Sequence, residues 1–309
     1  MSRLRNDINQ VTERPAPLLP PPFDYVSPKN LSEAIGLLAS RGEGAKVIAG
    51  GQSLIPLLKL RLASPSLLVD ISRIQGLNRI EESGGSLRIG ALTRIADVEA
   101  SAFIMEHYPI IHDASKVIGD PLVRNLGTVG GNVSHGDPNN DMPAVMLALG
   151  AEFVAIGPAG ERAIKAQDFF LDTFTVALNH DEILTEIRVP KSKQRSGGCY
   201  LKLEQKVADF ATAGVAVQVT LAEGGECEEI GIGLTAVGPT AIKARKAEDW
   251  MRGKASSDSR TIEELARVAA QEANPLTDIR GTSAYKKQVV AHLVSRAFRN
   301  ACERAEGAS

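Results

Sequence analysis

The sequence is poor in cysteine and in aromatic residues, carries no excess of charge of either sign, and has no long apolar run. Each shortage closes a class of function. The cysteines number three, Cys199, Cys227 and Cys302; they are far apart, odd in number and in no CxxC pair. That leaves no disulfide framework and no complete zinc or iron–sulfur ligand set, and the three read as buried, inert thiols. Lysine plus arginine total 35 against 37 acidic residues, a formal net charge of -2, so nothing favours a nucleic-acid backbone. The short basic patch from Lys243 to Lys246 reads as one solvated helix face. No run of about 18 apolar residues is available to span a bilayer, and the N-terminus lacks the apolar core of a secretory signal, so a cytoplasmic protein is expected. No HExxH, no GxSxG elbow and no P-loop occurs, and the histidines are scattered. Nothing in the spacing therefore marks a nucleophile with its base, and no catalytic residue is assigned.

What is present is a chain of 309 residues, 43% hydrophobic, long enough to bury a substantial core in two or more units. Residues 1–22 are polar and then proline-rich, which favours extended backbone and reads as an arm, disordered or draped on a partner. "NLSEAIGLLASRG" from Asn30 predicts a helix, with Asn30 and Glu33 as a capping pair and Gly42 beyond its end. "AKVIAGGQSLIPLLKLRLA" reads as strand, tight turn and short helix. "SLLVDIS" predicts a strand, and "LNRIEESGGSLRIGAL" two strands about a turn at Ser83 to Ser86. Helices are predicted around Ile95 to Ala100 and Phe103 to Val117, a hairpin over "AEFVAIGPAGERAIKA", and a strand ending at Pro190. Without regular strand–helix alternation the fold class is α+β. Polar Lys191 to Gly198 makes a boundary between units at 23–194 and 198–305. Beyond it come three strands of a small antiparallel sheet, then helices from Thr240 onward.

The chemistry concentrates in Val123 to Gly150. Asp137, Asn139 and Asp141 match the start of a calcium loop, but Met142 and Ala148 stand where glycine and a bidentate glutamate are needed, so calcium fails. His135 with Asp137 and Asp141 lacks a second histidine cluster, and a hydrogen-bonded loop histidine is the better reading. "GIGLTA", Gly231 to Ala236, fits a dinucleotide fingerprint, yet Gly238-Pro239 breaks the helix that would hold the pyrophosphate. What remains is a pair of glycine-centred loops, "VIAGGQSLIP" and "LGTVGGNVSHGDPNND". Adjacent glycines allow successive N–H groups to converge on an anion such as a diphosphate. Gln52, Ser53, Thr128 and Asn132 add polar groups, and Asp141 opens a helix that it caps, or accepts a ribose hydroxyl. Taken singly, each loop reads equally well as a tight turn.

In order along the chain, "KVIAGGQSLIPLLKLRL", "LVDISRI", "IGALT", "VRNLGTVGGNVSHGDPNNDMPAVMLALGAEF", "DEILTEIRVP" and "KVADFATAGVAV" resemble the FAD-binding medium subunit of the molybdenum hydroxylases. The likeness runs from about Phe23 to Arg304 and is strongest toward the carbon monoxide dehydrogenase type; xanthine dehydrogenase carries the same module in a longer chain. It implies a two-subdomain FAD domain of the vanillyl-alcohol-oxidase type and a smaller C-terminal domain. Carried over by motif, Lys46, Val47, Ile48, Ala49, Gly50, Gly51, Gln52, Ser53 and Leu54 form the first FAD loop. Gly127, Thr128, Val129, Gly130, Gly131 and Asn132 form the second, and Asp141 holds the ribose or diphosphate region. Ile118, Leu184 and Lys202 match positions near the flavin and adenosine, and Phe210 an aromatic position beside the isoalloxazine.

The resemblance further implies FAD as this chain's cofactor and no metal of its own. It implies partners: a small subunit with [2Fe-2S] clusters and a large subunit with the molybdenum cofactor, assembled as a dimer of heterotrimers. Quinone, NAD or dioxygen would take the electrons. The complex would be cytoplasmic, free or peripheral to the inner face of the membrane. The cysteine-containing insertion of 4-hydroxybenzoyl-CoA reductases is missing, which argues against that branch. Gln52 stands where carbon monoxide dehydrogenase-like members often carry histidine, so carbon monoxide is not implied as the substrate. A free-standing FAD-dependent oxidoreductase and a non-enzymatic nucleotide-binding assembly module are the competing readings.

Overall fold

The structure is a computed structural model that describes residues 19–307. Most of the proline-rich arm expected over 1–22 lies outside the described residues. The chain then builds three sheets in succession, with a short two-stranded ribbon inserted in the second unit.

The first unit runs β1 (Asp24–Val26), α1 (Leu31–Arg41), β2 (Ala45–Ile48), α2 (Leu54–Lys59) and β3 (Leu67–Asp70). Its strands lie in the order β1-β3-β2, all parallel. This small parallel sheet is absent from the sequence reading, because β1 is only three residues long. The predicted cap is present: Asn30 accepts the Glu33 N–H at 2.9 Å, and Glu33 reaches back to the Lys29 N–H at 2.8 Å. Ala34 and Leu38 of α1 pack on Leu67 and Val69 of β3.

The second unit contains β4 (Ile80–Ser83), β5 (Ser86–Gly90), α3 (Ile95–Ala100), α4 (Ala102–His107), α5 (Pro109–Val117), α6 (Pro121–Leu126), α7 (Val129–His135) and α8 (Asp141–Leu149). It continues with β6 (Glu152–Gly157), β7 (Gly160–Lys165), α9 (Ala166–Phe169), the ribbon β8 (Phe170–Asp172) and β9 (Thr175–Val176), and β10 (Ile183–Pro190). The antiparallel order β4-β5-β10-β6-β7 places late β10 at the centre. The helix predicted over Phe103 to Val117 is two helices, because Pro109 has no N–H for a continuing ladder and Tyr108 takes a non-helical conformation. The second glycine stretch is also not simply a loop. Thr128 caps α7 by accepting the Gly131 N–H at 3.1 Å, so the glycine doublet lies in the first helical turn.

The third unit comprises β11 (Ser196–Glu204), β12 (Ala211–Leu221), β13 (Cys227–Thr235), β14 (Ile242–Lys243), α10 (Arg245–Met251), α11 (Ser259–Glu272) and α12 (Ser283–Gly307). The sheet has four strands rather than the three expected. Ile242 and Lys243 pair with Leu234 and Gly233 before α10 begins, where the sequence predicts a helix from Thr240. Pro239 delays the helix, and β-branched Ile242 suits the added edge strand.

The second and third units meet along α8. All residues of this helix from Asp141 to Ala148 are buried, as expected of a helix that is apolar all round. It lies on β13 because Gly231 and Gly233 present bare backbone to it: a Cβ on either would collide with the carbonyl oxygen of Ala148 or Ala144. The glycines of "GIGLTA" thus serve helix–sheet packing. Cys199, Cys227 and Cys302 are free and buried, and burial pushes their thiols up to about 11, 12 and 12.

Candidate functional site

The two glycine segments meet in the fold. A Cβ on Gly50 would stand 2.8 Å from the Leu126 carbonyl carbon and 2.9 Å from Gly127 Cα, so the first segment lies against the backbone of the second with no space for a side chain. Lys46, Val47 and Ile48 come from β2, Ala49 to Ser53 form the turn, and Leu54 opens α2. Gln52 folds back within the turn, its Nε2 donating to the Gly50 carbonyl at 3.1 Å.

The segments differ in what their N–H groups do. In the second, Val129 donates to Thr93 O and Gly130 to Ala91 O, both at 2.9 Å, while Asn132 donates to Thr128 O at 2.9 Å. Gly131 is held by the Thr128 hydroxyl, and Gly127 donates to Val123 O at 2.7 Å. None of these donors is left for a ligand. In the first, the N–H groups of Gly50, Gly51, Gln52 and Ser53 meet no acceptor among the described residues. Gly51 sits at φ 71°, the left-handed conformation through which successive N–H groups turn toward one point. The second doublet is bare for the packing of the protein on itself. A Cβ on Gly130 would stand 2.5 Å from Ala91 Cβ and 2.6 Å from Ala91 O, so its bareness lets α7 close on the chain leaving β5. The second segment still offers one unspent group, the Asn132 side-chain Oδ1, which is buried without a hydrogen-bond partner.

A second group of expected residues gathers around Lys202, whose side chain is 3% exposed. Its Nζ donates to Val117 O at 2.6 Å and Asp209 O at 3.0 Å, and stands 3.3 Å from both Asp141 Oδ2 and Glu204 Oε2. Ile118 directly follows Val117, and Phe210 follows Asp209, so Ile118, Asp141, Lys202 and Phe210 lie together. Asp141 is not open to a ligand as expected: its other oxygen accepts the Tyr200 hydroxyl. Burial raises the Asp141 carboxyl from 3.8 to about 6, opposed by Lys202, and burial followed by Asp141 drives the Tyr200 hydroxyl well above its ordinary value.

Helix α6 joins the two groups, from Ile118 at one end to Gly127 at the other. Arg124 locks the near end, donating to Gly119 O at 2.8 Å and pairing with Glu99 at 2.7 Å. Leu184 stands apart, buried in β10; its link is indirect, through the Thr185 carbonyl that accepts the Ala91 N–H at 2.9 Å.

His135 rests on the Phe174 ring at 5.1 Å between centroids, and burial holds its imidazole below the ordinary value against the pull of Asp137. Asp137 accepts the Asn139 N–H at 2.9 Å and shapes the return of the chain into α8. Among the described residues no group of three histidine, cysteine, aspartate or glutamate side chains is placed to hold a metal.

Tyr200, Asp209, Arg124 and Arg280 belong to this neighbourhood and are missing from the sequence reading. Only Tyr200 had a signal: in "CYLKLE" it shares the period-two face of Lys202.

Residues 21–192 match the family described as FAD binding domain in molybdopterin dehydrogenase, and residues 198–301 the CO dehydrogenase flavoprotein C-terminal domain. The carbon monoxide dehydrogenase medium chain of Hydrogenophaga pseudoflava is 41% identical over 93% of this chain and 99% of its own length. The alpha subunit of the 6-hydroxypseudooxynicotine dehydrogenase complex of Paenarthrobacter nicotinovorans is 38% identical over 93% of this chain and 96% of that one. A solved structure of carbon monoxide dehydrogenase from Hydrogenophaga pseudoflava, lacking the Mo-pyranopterin moiety of its cofactor, superposes with a TM-score of 0.90 at 42% identity, covering 93% of this chain and 99% of that chain.

Proposed function

Because the chain belongs to the FAD-binding subunits of molybdopterin dehydrogenases, of the carbon monoxide dehydrogenase medium-chain type, we propose that it is the FAD-carrying electron-transfer subunit of a heteromeric molybdenum hydroxylase. It works beside a small [2Fe-2S] subunit and a large molybdenum-cofactor subunit, in a dimer of heterotrimers. Bound FAD would supply the redox chemistry, one-electron acceptance from iron–sulfur centres and delivery to an external quinone, NAD or dioxygen.

The observation that carries this reading is the row of N–H groups from Gly50 to Ser53, set against Gly127 and without acceptors among the described residues. Gly50, Gly51 and Gln52 are half-buried and Ser53 is exposed, so the row opens toward solvent on one side, and a diphosphate with about two negative charges fits it without an arginine. The buried Asn132 Oδ1 asks for a donor, which the hydroxyls of a ribityl or ribose group provide. Lys46 to Leu54 cradle the diphosphate, and Gly127 to Asn132 wall the site and present Asn132. Ile118, Lys202 and Phe210 would frame the flavin end, with Phe210 nearest the ring, and Leu184, buried in β10, would act only indirectly, through Thr185 and Ala91. Asp141 acts through Lys202, holding that ammonium in place rather than touching the ribose. We assign residues 23–194 to FAD binding and 198–305 to the domain that carries Phe210.

The organic substrate belongs to the large subunit. The relatives agree with this, since a medium chain of carbon monoxide dehydrogenase and a subunit of a 6-hydroxypseudooxynicotine dehydrogenase resemble this chain almost equally. No helix among the described residues is long and apolar enough to cross a membrane. Three unpaired, buried thiols suit the reducing cytoplasm, where we place the complex.

The test is to purify the chain alone and together with the products of its neighbouring genes. The chain alone is expected to bind one FAD and to oxidise no organic substrate, while the complex carries iron, sulfide and molybdenum. Substrate turnover by the isolated flavoprotein would make it a free-standing oxidoreductase, and failure to bind FAD would leave only an assembly role.

A further inference from the structure

Phe210 is 49% exposed and ends a short loop in which Ala208 holds φ at 71°. A residue with a Cβ keeps that conformation only where its neighbours enforce it. Apolar packing does not enforce it here. Val207 in the same loop is 93% exposed, and Leu276 and Ile279 in the facing loop are 81% and 91% exposed.

The restraints converge instead on Asp209. Its carbonyl accepts from Lys202 Nζ at 3.0 Å. Its Oδ1 accepts the Phe210 N–H at 2.8 Å and Arg280 Nη2 at 2.7 Å. Arg280 first, then the Phe210 N–H, hold the Asp209 carboxyl below the usual carboxylate range. Arg280 is fixed in turn, because its own N–H donates to Asp278 Oδ1 at 2.9 Å and Asp278 Oδ2 pairs with Lys286 at 2.6 Å. The Lys286 side chain is anchored in α12 at 4% exposure. A run of bonded residues thus crosses from α12 through Asp278, Arg280 and Asp209 to Lys202 and Asp141 of α8, its ion pairs joined through the Arg280 N–H and the Asp209 carbonyl, and the main chain of Phe210 is bonded to its middle.

We propose that Arg280 is a positioning residue for the flavin: through Asp209 it fixes Phe210 against the isoalloxazine and limits what reaches that face of the ring. The inference rests on the FAD reading given above. It assigns to the 274–281 turn, which contributes nothing to the diphosphate cradle, control over the exposure of the reacting ring.

The experiment uses the full chain loaded with FAD, and reads FAD content, the visible circular dichroism of the flavin and iodide quenching of its fluorescence. Arg280→Ala is expected to keep its FAD while the iodide quenching constant rises about threefold, the change in a local opening equilibrium when one coupled ion pair is lost. Phe210→Ala should give a similar rise, Arg280→Lys should restore most of the wild-type value, and adding Asp209→Ala to Arg280→Ala should change little more. Should Arg280→Ala fail to fold, Asp209→Asn keeps the shape of the side chain and carries the same expectation. Full FAD content with unchanged quenching and circular dichroism in Arg280→Ala would overturn the inference. A wild-type chain that takes up no FAD is a different result, and it would overturn the cofactor reading beneath it.

Discussion

In Ala49 to Ser53 a glycine doublet precedes a helix and leaves four successive N–H groups without acceptors among the described residues. In Gly127 to Asn132 a doublet of the same composition sits in the first turn of α7, and the N–H groups of Val129, Gly130 and Gly131 are bonded to Thr93, Ala91 and Thr128. Both doublets mark a close approach of backbone, but only the first leaves its polar groups unspent. A glycine pair in a sequence says that something comes near; the hydrogen-bond inventory says whether that is the protein itself or a ligand.

The contrast can be attacked most strongly at Ser53. Aspartate serves as well as serine at the start of a helix, so Ser53→Asp should preserve the fold while setting a carboxylate beside the diphosphate. FAD affinity is expected to fall about 100-fold, some ~2.7 kcal/mol, read by fluorescence titration. An equal loss from Asn132→Asp, on the other segment, would erase the distinction.

Gly130→Val should act differently. Its side chain meets Ala91, and overpacking of this kind costs about 2 kcal/mol of stability, visible as a lower unfolding midpoint. The folded fraction should keep FAD affinity within a few-fold. A normal midpoint with FAD lost would make the second segment a direct diphosphate binder after all.

Asp141 extends the contrast to pH. Its carboxyl rises from 3.8 to about 6 on folding, with burial the first cause, so the folded chain holds a proton that the unfolded chain has released. The associated stability is fully present below the unfolded value and is lost as pH rises through the folded one. Compared with Asp141→Asn, which cannot titrate, the wild-type unfolding temperature should decline by about 2 °C between pH 4 and pH 6.5. A flat difference would mean that Lys202 keeps the carboxylate charged throughout.

Asn132→Ala, the mildest change, removes one acceptor from the site. It should weaken FAD by about fivefold, the worth of a single hydrogen bond near 1 kcal/mol. No change would leave the second segment as wall alone.

Much of this arrangement was legible in the residues. The caps at Asn30, the hairpins and the strand ending at Pro190 follow local rules, and the six ordered motifs carried the family. What was not legible depends on partners far apart in sequence. Nothing near Gly130 announces Ala91, nothing near Asp141 announces Tyr200, and nothing near Phe210 announces Arg280, 70 positions away. Short elements were lost for a related reason: β1 and β14 have too few residues to show a period, and they exist because a neighbouring strand offers an edge.

The most direct test is amide hydrogen exchange across the two segments, with and without FAD. Binding should slow exchange strongly at Gly50, Gly51, Gln52 and Ser53, while Val129 to Asn132, already bonded within the chain, should change little. New protection at Val129 to Asn132, with none at Gly50 to Ser53, would contradict the division of roles between the two glycine doublets.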